Sequence, residues 1–204
     1  MSAAGAVWIG ADPGGENNFG LAILKADATV HVCCVDYVDM AIEVVREHSQ
    51  GSPAGIGVDS PLWWTSGRAG LRSADQWLRE KYNLPNRNVQ ATNSMWGSVL
   101  IQGVMFVARM REYFPKVRIT ETHPKALLKA LGPDWWKKLF DELPTDVTLE
   151  MLPEHKRDAV ISAVAAREGF EGRWTKDLSI DRYPSEQDPS NYWLASVHYF
   201  WPES

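Results

Sequence analysis

Four hydrophobic stretches of this chain each carry an acidic residue where an acid is costly. Asp12 closes Val7-Trp8-Ile9-Gly10-Ala11, Asp59 closes Ile56-Gly57-Val58, and Glu121 closes Val117-Arg118-Ile119-Thr120. Asp158 begins the helical pattern Asp158-Ala159-Val160-Ile161-Ser162-Ala163-Val164. A carboxylate at the end of a buried strand loses hydration and needs a cation or hydrogen-bond donors in exchange. If the three strands are neighbours and the helix packs across them, the four carboxylates converge on one site. Taken singly, each strand-end acid is as well read as a turn or cap residue. Asp158 alone would suit a solvated first turn, where the helix dipole favours an acid. Their joint occurrence favours convergence.

The pattern around these acids gives the fold class. Residues 6–12, Phe19–Leu24 and Val30–Val35 read as strands. They are separated by the turn formers Asp12-Pro13-Gly14-Gly15-Glu16-Asn17-Asn18 and by a turn near Lys25-Ala26-Asp27, so an antiparallel meander opens the chain. Met40–His48 reads as a helix capped by Asp39, and Gly55–Asp59 as a short strand. Further helices are expected at Ser73–Tyr82, Met95–Phe114, His123–Leu131, Asp134–Leu143 and Pro153–Glu168, with a strand at Val117–Glu121. Gly132-Pro133 reads as a helix stop. Tyr192–Trp201 suits an edge strand. The order β-β-β-α-β-α-β-α predicts an α/β fold: a mixed five-stranded sheet, its first three strands an antiparallel meander, with helices on both faces. The expected organisation is one domain over residues 1–170 and a C-terminal extension, 171–204, packing on it.

Composition narrows the partners. The chain has 204 residues and a net charge of −5, which opposes non-specific attraction to nucleic acid. Ten tryptophans are many, and most are expected in the core or lining a groove. Cys33-Cys34 has no CxxC or histidine partner nearby and reads as a pair of reduced core residues. No leader pattern and no long apolar run occurs, so the expected location is cytoplasmic with no membrane partner.

Side chains two apart on a strand share a face. Asp12 therefore sits with Gly10 and Trp8, and Asp59 with Gly57 and Gly55; the small residues suggest room for an ion or a substrate backbone. Glu121 shares a face with Ile119 and Val117. On the helix, His155, Asp158, Ser162 and Ala165 form one stripe. Mg²⁺ or Mn²⁺ is the cofactor such oxygen ligands suit, and paired ions can activate water and stabilise the leaving oxygen of a phosphodiester. The candidate site is Asp12, Asp59, Glu121 and Asp158 as metal ligands and catalytic acids, with His155 beside them. Gly14, Gly15, Arg72 and Lys125 are candidate substrate contacts. For Arg72, Lys125 and Arg68 a solvated surface charge is the plainer reading, and for His123 a surface or capping residue; a plain hairpin turn explains Gly14-Gly15 equally well. Trp63-Trp64 suits base stacking or, more simply, core packing.

Asp12-Pro13-Gly14 followed by Gly20-Leu21-Ala22-Ile23 resembles the first hairpin of Holliday-junction resolvases and their ribonuclease H relatives. His155-Lys156-Arg157-Asp158-Ala159 resembles the helix that carries their last metal ligands. Over residues 6–170 the chain is most similar to the family described as domain of unknown function 429, predicted nucleases with a ribonuclease H fold. Gly57-Val58-Asp59-Ser60-Pro61-Leu62, Thr120-Glu121-Thr122-His123-Pro124 and Arg157-Asp158-Ala159-Val160 resemble its second, third and fourth motifs. The resemblance implies a ribonuclease H-like sheet and an active site at Asp12, Asp59, Glu121 and Asp158.

The leading expectation is a divalent-metal-dependent nuclease acting on nucleic acid. A nucleotide-binding phosphotransferase or phosphatase of the actin-like superfamily is the alternative, because Asp12-Pro13-Gly14-Gly15 also resembles its phosphate hairpin. A non-catalytic binding module is a third. The aromatic tail would suit a homodimer contact, another protein partner or packing on its own domain.

Overall fold

The computed structural model describes residues 5–49, 51–143, 152–187 and 196–202, and for residues 140–142 the backbone alone. Strands β1 (Val7–Asp12), β2 (Phe19–Lys25) and β3 (Val30–Val35) form the meander, with β1–β2 and β2–β3 antiparallel. Strands β4 (Gly55–Val58) and β5 (Ile119–Glu121) add in parallel on the other side of β1. The sheet order is β3-β2-β1-β4-β5. Because β1, β4 and β5 run the same way, Asp12, Asp59 and Glu121 all arrive at one edge of the sheet. Ligand crevices in open α/β sheets form at such carboxyl ends.

Two apolar layers cover the sheet. On one face Ile9, Ala11, Leu21, Ile23, Ile56 and Val58 belong to a core shared with α1 (Val38–His48) and α3 (Gly97–Tyr113). On the other, Trp8, Ala22 and Leu24 meet Ala159, Val160, Ala163 and Val164 of α5 (Glu154–Phe170). The strand period of two accounts for this partition. Helices α2 (Ser73–Tyr82) and α4 (Pro124–Glu142) complete the set.

Several sequence expectations shift. Tyr37, not Asp39, stands at the N-cap of α1; Asp39 lies in the first turn and pairs with Arg109 at 3.1 Å. The two helices expected at His123–Leu131 and Asp134–Leu143 form one stretch broken at Gly132, whose φ of 77° suits glycine. Cys33 and Cys34 are free and only partly buried, because β3 is an edge strand.

The extension packs on the domain. Thr65 and Glu186 form an antiparallel bridge, and Trp63 Nε1 donates to Glu186 Oε2 at 2.8 Å. Of the expected strand Tyr192–Trp201, residues 192–195 lie outside the described residues. His198 bridges Thr120 of β5 in parallel. Strand β7 (Phe200–Trp201) pairs with β6 (Lys176–Asp177), and Trp201 is fully buried. Asp177 fastens this arrangement. It accepts from Ser179 N–H and Tyr199 N–H at 2.9 Å each, and its Oδ2 lies 2.8 Å from His198 Nδ1. No helix among the described residues is long and apolar enough to cross a membrane.

Candidate functional site

The glycines that precede the acids have a different use from the one the sequence suggests. A Cβ on Gly10 would lie 1.9 Å from the Ala159 carbonyl oxygen, and one on Gly57 would lie 2.1 Å from that of Ser162. The room beside these residues is filled by the α5 backbone. Small residues on the strands and on the helix let α5 lie directly on the sheet. That close approach sets the first turns of α5, with His155 and Asp158, over the ends of β1 and β4.

Asp12 and Asp59 are neighbours across that edge, the Asp59 N–H donating to the Ala11 carbonyl at 2.8 Å. Asp12 Oδ2 is 2.7 Å from His155 Nδ1. This contact, against the cost of burial, raises the His155 imidazole above its ordinary value. Asp59 accepts no side-chain hydrogen bond from a described residue. Burial first, then the charges of Asp12 and Asp158, pushes its carboxyl well above the usual range, with Lys125 acting the other way. Asp158 is 1% exposed, so it faces the sheet and is not a solvated first-turn acid. Burial pushes it up to about 6 even though Arg157 holds it at 2.8 Å.

Glu121 belongs elsewhere. Val58 pairs with Glu121 and Gly57 with Thr120, and paired residues share a face. The Gly57–Asp59 face is therefore continued on β5 by Thr120 and Thr122, and Thr122 Oγ1 is 2.7 Å from Ser162 Oγ of α5. Glu121 points to the opposite face. There its Oε1 and Oε2 accept from Arg72 Nη2 at 2.5 Å and Nη1 at 2.8 Å, and Oε2 also accepts from the Leu62 N–H at 2.9 Å. Arg72 is held again by Asp75, Nη2 to Oδ1 at 2.8 Å, and its guanidinium lies 4.3 Å from the centre of the Trp63 ring. Burial alone would lower the Arg72 guanidinium, but Asp75 and Glu121 outweigh it and raise it. The surface-charge expectation for Arg72 fails: the residue is 1% exposed and paired with two carboxylates, though it lines the same cleft as Asp12 and Asp59. Glu121 thus accepts three hydrogen bonds, more than any other acid of the candidate set, while still lining that cleft.

Most of the expected residues meet at this one cleft of about 480 Å³. Asp12, Asp59, Gly14, Gly15, Lys125 and His155 line it, as do Glu121, Arg72 and Asp75, whereas Asp158 is not part of the lining. Lys125 bonds Glu154 at 2.6 Å. The glycine turn closes on itself, Asn18 N–H to Gly15 O at 2.9 Å, and the Gly14 carbonyl accepts from Gln102 of α3. His123 also lines the cleft; its Nε2 is 2.6 Å from the Asn88 carbonyl, and burial lowers its imidazole. Trp63 is core, while Trp64 is 40% exposed. Arg68 lies away from the cleft, its guanidinium 4.2 Å from the centre of the Tyr183 ring. The sequence reading missed another part of the lining, Arg87, Asn88, Gln90, Met95 and Trp96. The signal was there in Trp96, a large aromatic set between a polar loop and Gly97.

Among the described residues, no three His, Cys, Asp or Glu side chains are grouped so as to hold a metal ion as they stand. The donor chemistry at Asp12 and Asp59 nevertheless fits a hard cation. Both are carboxylates, Asp59 has no hydrogen-bond donor among the described side chains, Asp12 uses one oxygen on His155, and Asp158 adds negative charge nearby. No protein-family model, curated protein or solved structure matches the chain.

Proposed function

We propose that this chain is a divalent-metal-dependent nuclease on a ribonuclease H-like scaffold. The observation that carries the reading is the pairing of Asp12 and Asp59 at adjacent strand ends, under the first turns of α5. The scaffold reading draws support from the mixed five-stranded sheet whose first three strands form an antiparallel meander, which is what the family resemblance implies. The family pattern also places Glu121 in the site; here the proposal rests on Asp12, Asp59 and Asp158 instead.

Asp12 and Asp59 would hold Mg²⁺ or Mn²⁺, with Asp158 adjoining. A bound ion of this kind lowers the pKa of a water and offsets charge on a phosphodiester. His155 orients Asp12 through Nδ1 and has Nε2 free of described partners, which leaves it able to hand a proton to the cleft. Lys125 places positive charge on the same wall, in reach of Asp59 and Asp158, where it would attract a phosphate.

The test is Mn²⁺-dependent cleavage of labelled single-stranded, duplex and branched oligonucleotides by wild type and Asp12→Asn, with Mn²⁺ binding by calorimetry beside it. Cleavage of at least one substrate, abolished with Mn²⁺ binding in Asp12→Asn while the melting temperature holds, is expected. No cleavage by the wild type, or cleavage that Asp12→Asn leaves unchanged, would overturn the reading.

A further inference from the structure

Trp96 is 80% exposed, the most exposed of the described tryptophans. It lies at the N-terminal boundary of α3 and lines the cleft that Asp12, Asp59 and His155 also line. Arg87 lines the same cleft, is exposed, and makes no ion pair with a described residue. Of the other cations of the lining, Arg72 is enclosed by Asp75 and Glu121, and Lys125 has a partner in Glu154, though an exposed pair of that kind holds it only weakly.

These facts bear on which nucleic acid the proposed nuclease takes. Duplex binding draws its affinity from many Lys and Arg contacts to phosphates, and from the counterions they release. A chain of net charge −5, with Arg87 as the cleft's unpaired cation among the described residues, is poorly equipped for that. Stacking on an aromatic face needs no net charge and tolerates any base, but it needs a base that is not already paired. A cleft of about 480 Å³ is also of small-ligand size, suited to a nucleotide or two and not to both strands of a helix.

We infer that Trp96 is a stacking platform for an unpaired base and Arg87 the contact for a neighbouring phosphate, so that the substrate is single-stranded nucleic acid. The inference rests on the nuclease reading for its substrate class, and binding tests it separately from cleavage. A fluorescein-labelled ten-nucleotide single strand and its duplex are titrated, with Ca²⁺ in place of Mn²⁺, into wild type, Trp96→Ala, Trp96→Phe and Arg87→Ala. The single strand should bind more tightly than the duplex. Trp96→Ala should weaken it roughly 10-fold, Trp96→Phe should retain most of the affinity, and Arg87→Ala should reduce the salt slope by about one phosphate contact. Equal or tighter duplex binding, single-strand binding that Trp96→Ala does not change, or equal loss in Trp96→Phe and Trp96→Ala would overturn it. Single-strand binding with the expected Trp96 dependence but no Mn²⁺-dependent cleavage would sink the nuclease reading and leave the platform. Cleavage of single strands indifferent to Trp96→Ala would do the reverse.

Discussion

Two groups of acids sit at the same edge of one sheet and have opposite fates. On one face, Glu121 and Asp75 enclose Arg72, and every charge has a partner in contact. On the other, Asp12, Asp59 and Asp158 crowd together with His155, Arg157 and a shared lysine as their compensation. The first group is complete within the protein and acts as a brace: through Leu62 N–H it ties the loop after β4 to the end of β5. The second is incomplete: Asp12 and Asp59 line the cleft with fewer partners in contact than the first group has, and perturbed carboxylates in a cleft are common at ligand-binding centres. Equivalent positions on parallel strands do not imply equivalent roles; the face on which a side chain emerges decides.

The sharpest way to break the comparison is to remove the cation of the closed group. Arg72→Met leaves Glu121 and Asp75 buried without a counter-charge, and losing one partner of a buried pair costs about 3–5 kcal/mol. A denaturant midpoint unchanged by this substitution would show that the brace does not stabilise the fold.

Next in size is the contact that assembles the open group. Gly10→Ala drives a methyl against the Ala159 carbonyl, which sits at 1.9 Å from the added atom. Overpacking against backbone should cost about 3 kcal/mol and displace α5. Mn²⁺ binding should weaken along with stability, whereas Arg72→Met, where it still folds, should leave Mn²⁺ binding largely intact. Calorimetry on both variants checks the difference.

A third case lies outside both groups and calibrates them. Asp177 is a buried acid with full compensation: burial alone would raise it, but His198 and the N–H groups of Tyr199 and Ser179 bring it down to about 2. A depressed folded value stabilises the protein above the unfolded value near 4, and the contribution disappears as pH falls through about 2. Asp177→Asn should therefore cost about 2 kcal/mol at pH 7, and its deficit should shrink as pH falls from 4 toward 2. A deficit of constant size over that range would show that charge is not what fastens the extension.

The sheet, its meander and the placing of Asp12 and Asp59 at the ends of strands were legible in the sequence, because strand and helix periodicities are local and the acids interrupt them. The face on which Glu121 emerges was not. It depends on the register between β4 and β5, which makes Thr122, one residue further on, the neighbour of Asp59. Nor could the glycines be read correctly, since an empty-looking strand face is the same in sequence whether an ion or a helix more than a hundred residues away will fill it. Arg72 looked like a surface charge because its two partners lie 3 and 49 residues away, on different elements. The cleft wall at Arg87 and Trp96 comes from a loop with no periodicity to announce it.

The smallest predicted effect has the opposite sign and discriminates best. Asp59→Asn removes a charge that burial, Asp12 and Asp158 all disfavour. Without divalent ions, at pH 7, it should stabilise the protein by about 1 kcal/mol, as substitutions that relieve strained functional sites commonly do. For a chain of this length that is a rise of about 2–4 °C in Tm. On adding Mn²⁺ the order should invert: the wild type gains stability by binding the ion, and the variant gains little. Glu121→Gln should do neither, since it breaks a satisfied pair and touches no ligand. If Asp59→Asn lowered Tm in EDTA as Glu121→Gln does, the two groups would be alike after all, both built for the fold, and the contrast between a closed and an open set of acids would collapse.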